Sequence, residues 1–250
     1  MFIALGSLAV SFLGYSPSVY AFFGAVTPSH QAARDENVEL FIQAVSSRSP
    51  KQIDSALDTT EAGSFARMYL TYSYWTNFAY QKQHPGSTLG AWDVIPDGDG
   101  WLICEPGATN NCSRWSDFVF TSDDQIREVL RDGQRLAGIL VIPEESVTKE
   151  SVMIVPLSGR TLPGESVYVL RLRNMRTEPV QVNGCALMNT DLAQVLTQRD
   201  TSGWPSILSP WQEAVYNCEF ATGFASPPQY VGLKVQYGES AMTIWTTFQR

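Results

Sequence analysis

The residues of this chain equipped for chemistry are few in kind: four cysteines, two histidines and 25 carboxylates. The cysteines are Cys104, Cys112, Cys185 and Cys218. No pair has C-x-x-C spacing and neither histidine lies near a cysteine, so the tight ligand pairs of a zinc site are missing. An even count is instead the pattern of two disulfides. Three pairings are open. Cys104 and Cys112 bracket the turn-rich EPGATNN, which can fold back on itself, and this leaves Cys185 for Cys218. In the chain-entropy picture the longer loop contributes ~3–4 kcal/mol and the shorter ~2–3 kcal/mol. Pairing of all four removes a cysteine nucleophile.

His30 falls in a segment expected to be a tether, and His84 sits beside a proline at the end of a helix. Neither has a nucleophile elbow nearby, and no G-x-S-x-G, Walker loop or G-x-G-x-x-G is present. The carboxylates Asp97, Asp99, Glu105, Asp117, Asp123 and Asp124 mostly fall where tight turns use acidic side chains to accept backbone hydrogen bonds. In a carboxylate glycan hydrolase Asp97 and Asp99 would be the acids. Asp97-Gly98-Asp99-Gly100 lacks the further acidic residues of a calcium loop. No catalytic residue, metal ligand or cofactor is assigned.

The aromatic residues offer two binding readings. Trp92, Trp204 and Trp211 fall in expected loops or edges and suit contact with a protein or glycan. Tyr69, Tyr72 and Trp75 recur at helical spacing, and with Trp101 they would line a pocket for a small apolar ligand. Core packing is the competing explanation for both sets.

The elements that must position these residues follow from patterning. Hydrophobic residues make up 44% of the 250 residues, enough for a core. Net charge is −8 with no basic block, which excludes the electrostatic face that nucleic acid or an anionic membrane surface requires. Residues 1–29 carry no charged side chain, and residues 2–13 form an apolar run about as long as a signal-peptide core. Val19 and Ala21 fit a cleavage site after residue 21. Membrane attachment is expected only through this segment, if it is not cleaved.

Three helices are expected: Arg34 to Ser47, one started by Ser49-Pro50, and one over about residues 64–82. Strands follow at 89–95, 101–104, 115–120, 126–130 and 135–142, joined by Asp/Gly turns. Beyond PEESVTK only strand signals remain, at 151–157, 166–174, 179–183, 185–188, 193–198, 213–220, 230–237 and 241–248, the density of a β-sandwich. The expected organisation is a signal or anchor segment and tether (1–33), an α+β domain of three helices and an antiparallel meander (34–142), a linker (143–150) and an all-β sandwich (151–250).

Two stretches carry a resemblance. CSRWSDF (112–118), then IREVLRDG (126–133), with the earlier AGSFA (62–66) and Tyr69, is similar to a segment of actinobacterial exported and cell-surface proteins. Leu162 with the following Pro-Gly, Val169 to Asn174 and the later strands resemble the immunoglobulin-like domains appended to such proteins. The resemblance implies an exported compartment and an immunoglobulin-like C-terminal sandwich, and it carries no functional residue. Helices laid over a curved sheet are also similar to NTF2-like cones. The expectation is a non-enzymatic exported protein that contacts an envelope protein or polymer, with an apolar-ligand carrier and a carboxylate glycan hydrolase as alternatives.

Overall fold

Proline is tolerated as a first helical residue because its missing N–H has no intrahelical partner to lose. The helix begun by Pro50 starts that way. In the computed structural model, which describes residues 28–87, 89–107, 111–188, 195–198, 203–221 and 229–249, α1 runs Pro28–Ser47 and α2 runs Pro50–Ser55. Residues 28–33 are therefore helix rather than tether. The physical reason is an anchor: His30, Arg34 and Asn37 all reach Asp124 in the turn after β3. The expected signal segment, residues 1–21, lies outside the described residues. A 3-10 turn at Leu57–Thr59 leads to α3, Phe65–Gln83, whose cap Ser64 accepts a hydrogen bond from the Arg67 amide at 3.2 Å. Among the described residues no helix is long and apolar enough to cross a membrane.

Five antiparallel strands follow in sequential order: β1 Asp93–Asp97, β2 Gly100–Cys104, β3 Cys112–Phe120, β4 Ile126–Arg131 and β5 Gln134–Arg135. The helices pack on this sheet through Phe41, Ile42, Ile53, Tyr69 and Leu70 against Ile103, Trp115, Ile126 and Val129. The single strand expected over 135–142 is broken by a 3-10 turn at Leu136–Gly138. Fully buried Leu136 plugs the core there, and its amide donates to Glu128 Oε1 at 3.1 Å.

The remaining strands are β6 Leu140–Pro143, β7 Val147–Lys149, β8 Val152–Leu162, β9 Glu165–Asn174, β10 Val180–Met188, β11 Val195–Thr197, β12 Ile207–Leu208, β13 Glu213–Phe220, β14 Gln229–Tyr237 and β15 Ser240–Gln249. One layer has β8-β9-β13, with β7 beside β8, and the other has β10-β14-β15, with β11 and β12 beside β10. β6 pairs with both β15 and β8, so it forms the corner between layers. β7 falls within the stretch read as a linker and pairs with β8. The two strands expected over 179–188 are one strand, β10, with a bulge between Val182 and Gly184. The architecture is α+β with a β-sandwich. Both disulfides form as read, Cys104–Cys112 within the meander and Cys185–Cys218 between the sandwich layers.

Helix α3 serves both halves. Its first turns lie in the core of the meander, while Trp75, Phe78 and Ala79 pack on Val169 and Val215, on the outside of the sandwich. This explains why β9 reads VYVLRL without alternation: Tyr168 and Leu170 face the sandwich core and Val169 faces α3. Asn217 Nδ2 donates to the Thr76 carbonyl at 3.1 Å across the same junction.

Candidate interaction face at one end of the β-sandwich

Four connections meet at one end of the sandwich. Register places them together: Val152 is opposite Asn174, Glu213 opposite Arg173, Val180 opposite Leu208 and Gln181 opposite Gln236. Asn174 organises this end. It is fully buried, and its Nδ2 donates to the carbonyls of Glu178, Leu208 and Ser209 at 2.9, 3.0 and 3.2 Å. Its Oδ1 accepts from the Arg176 amide at 2.9 Å, and its own amide donates to the Gln212 carbonyl at 2.9 Å. One buried amide therefore fixes two loops.

On the loop so fixed stands Trp211, 63% exposed and in the left-handed backbone region at φ +63°. A bulky residue pays roughly 1–2 kcal/mol for that conformation. Ile207 is also 63% exposed, two residues before the carbonyl that Asn174 holds. Glu150 and Ser151, at φ +49° and +63°, make the neighbouring turn with the same conformation. Among the described residues, three of the seven non-glycine residues with positive φ thus lie at this end.

Between these loops Arg176 lies 3.9 Å above the Tyr237 ring, and its Nη1 donates to the Glu150 carbonyl at 3.0 Å. The Tyr237 hydroxyl donates to Glu150 Oε2. That hydrogen bond to the carboxylate, with lesser burial, raises the Tyr237 pKa, so the phenol stays a donor. A hollow of ≈ 210 Å³ lies alongside, lined by Pro179, Gln181, Ile207, Gln236, Tyr237 and Gly238. Arg176 and Glu150 are engaged with each other and with Tyr237, Gln181 and Gln236 line the hollow, and one tryptophan and one isoleucine are the most exposed large apolar groups. That is the composition of an aromatic anchor with a polar rim.

The other residues singled out in sequence lie elsewhere. Trp204 packs against Tyr216 at 4.8 Å between ring centroids, covering the sandwich core. Trp92 is partly buried beneath Arg48, and Trp101 packs on the meander core. Tyr69 is buried against Trp115 at 4.9 Å, Tyr72 is buried beside it, and Trp75 packs with Tyr74 and Phe78. The space between helices and meander at Tyr69 is thus occupied by side chains, including Arg131, whose Nη1 donates to the Tyr69 hydroxyl at 3.2 Å. Asp97 and Asp99 both grip Arg114, at 2.8 and 2.7 Å. His84 stacks on Tyr80.

Trp211 is among the residues singled out in the sequence, and Asn174, Arg176, Tyr237 and Ile207 are not. Asn174 ends the strand that carries the resemblance, which was its only signal. Comparison of the sequence with known protein families and with curated proteins finds no match.

Proposed function

We propose that this chain is an exported, non-enzymatic binding module that contacts an envelope protein or polymer through the Trp211 end of its sandwich. The observation that carries the reading is Trp211 itself: an exposed indole in a costly backbone conformation, maintained by a buried asparagine. Backbone strain retained at an exposed aromatic residue supports a functional position. The two disulfides support an oxidising compartment. The layers β8-β9-β13 and β10-β14-β15 support an immunoglobulin-like topology, since a hairpin opens one layer, a hairpin closes the other and the chain crosses between them in the middle. Three helices on a curved antiparallel meander support an NTF2-like N-terminal half whose interior is filled. The likeness to actinobacterial exported proteins agrees with this compartment.

Two measurements test the reading. Binding of the full chain to washed envelope fractions is compared with Trp211→Ala and Ile207→Ser; loss of tenfold or more with unchanged thermal unfolding is expected for a hot-spot pair. Unchanged binding in both variants removes this face. Separately, the intact mass of native protein alkylated without reduction is expected to carry no thiol adduct, and four adducts would place the protein in a reducing compartment instead.

A further inference from the structure

A second site lies where α3 crosses the corner strand, away from the Trp211 face. Strand β8 pairs Pro156 with Leu170 and then Ser158 with Val169, so Leu157 is an extra residue in the ladder. Before this bulge Val152 and Ile154 face the sandwich core. An unbulged strand would send Ser158 the same way. The bulge turns it to the other face, the side of its partner Val169, which packs under α3. Gly159 takes the inward position instead, where a Cβ would come within 2.9 Å of the Tyr168 ring.

The redirected Ser158 is 5% exposed, and its hydroxyl has no hydrogen-bond partner among the described residues. It lines a cleft of ≈ 180 Å³ between α3 and β6, whose walls are Met68, Thr71, Tyr72, Leu140, Val141 and Leu157. The Thr71 hydroxyl is engaged with the Arg67 carbonyl at 2.9 Å. A buried hydroxyl left unpaired is costly and calls for a partner. A cavity of roughly 150 Å³ lined by apolar side chains is known to admit a benzene-sized molecule. We infer that this cleft binds a small apolar molecule of about that size carrying one oxygen, which pairs with Ser158. The walls supply the apolar surface and the single hydroxyl selects the polar atom.

The test uses the full chain with 13C-labelled methyl groups, titrated with phenol and with toluene. Saturable shifts at Met68, Leu140 and Val141 are expected with both, and phenol binds more tightly. Ser158→Ala should weaken phenol about fivefold, leave toluene unchanged and unfold no earlier than the wild type, because it removes an unpaired group. Thr71→Leu, which fills the cleft from the helix side, should abolish both. Absence of saturable shifts up to the solubility of the probes overturns the site. Equal phenol affinity in wild type and Ser158→Ala overturns the assigned chemistry. So does a crystal structure in which a water molecule on Ser158 survives a phenol soak.

Discussion

Cys185 on β10 and Cys218 on β13 join the two layers of the sandwich on the side opposite its corner strand. The hydrogen-bonded path runs from β11 through β10, β14, β15, β6, β8 and β9 to β13, so β10 lies next to one end of it and β13 at the other. The bridge spans 5.7 Å between Cα atoms, and Gln198 Nε2 reinforces it by donating to the Asn217 carbonyl at 3.0 Å. Corner strand and disulfide thus hold the two layers together from opposite sides.

The disulfide should therefore matter more than its neighbour. Cys185→Ala with Cys218→Ala is expected to cost about 3–4 kcal/mol, and Cys104→Ala with Cys112→Ala about 2–3 kcal/mol. Urea unfolding of each double variant checks this. Equal losses would mean that the link across the layers does no more than tie a loop.

Trp211 sets stability against contact. Glycine adopts φ +63° without strain, at the cost of extra freedom in the unfolded chain. Trp211→Gly should raise stability by up to about 1 kcal/mol, since a side chain 63% exposed gives up little packing. Binding to the envelope fraction should fall in the same variant. A variant that is less stable than the wild type would show that the indole is held for the fold.

Legibility in the sequence tracks how local each cause is. The pairing of Cys104 with Cys112 was readable because the intervening residues make a turn, and it fixed the second pair by elimination. The sandwich was readable from strand density. Residues 28–33 were not readable as helix because their anchor, Asp124, lies 94 residues from His30. The strain at Glu150, Ser151 and Trp211 was invisible because those residue types ordinarily avoid positive φ. The cleft at Ser158 depends on a one-residue bulge, which period-two patterning cannot register.

Asn174 is expected to be the most sensitive polar position of the sandwich. Asn174→Ala leaves the carbonyls of Glu178, Leu208 and Ser209 and the Arg176 amide without their partner. A loss of about 2–4 kcal/mol follows from stranding several buried groups. Asn174→Asp is no rescue, because a carboxylate can still accept from Arg176 but would face three carbonyl oxygens. Thermal unfolding of both variants measures this, and near-wild-type stability of the aspartate form would contradict the donor assignment.

The anchor of α1 should be sensitive to acid. Asp124 accepts from His30 Nδ1 at 2.5 Å and from Arg34 Nε at 2.8 Å, while its carbonyl accepts from Asn37 Nδ2 at 3.0 Å. The His30 hydrogen bond holds the carboxyl below its usual range, with Arg34 adding to the effect and burial opposing it. A carboxyl depressed in the folded state stabilises above its unfolded pKa, and that contribution is lost as pH falls through the folded value. The first turns of α1 should therefore stay ordered at neutral pH and loosen only below about pH 4, the ordinary aspartate range. Backbone 15N relaxation of residues 28–37 followed from neutral to acid pH reads this directly. Asp124→Asn should leave these turns equally mobile at both ends of the titration, because the amide keeps shape but loses the charge that His30 and Arg34 grip. Acid-induced loosening that persists in Asp124→Asn would assign the effect to a different carboxylate.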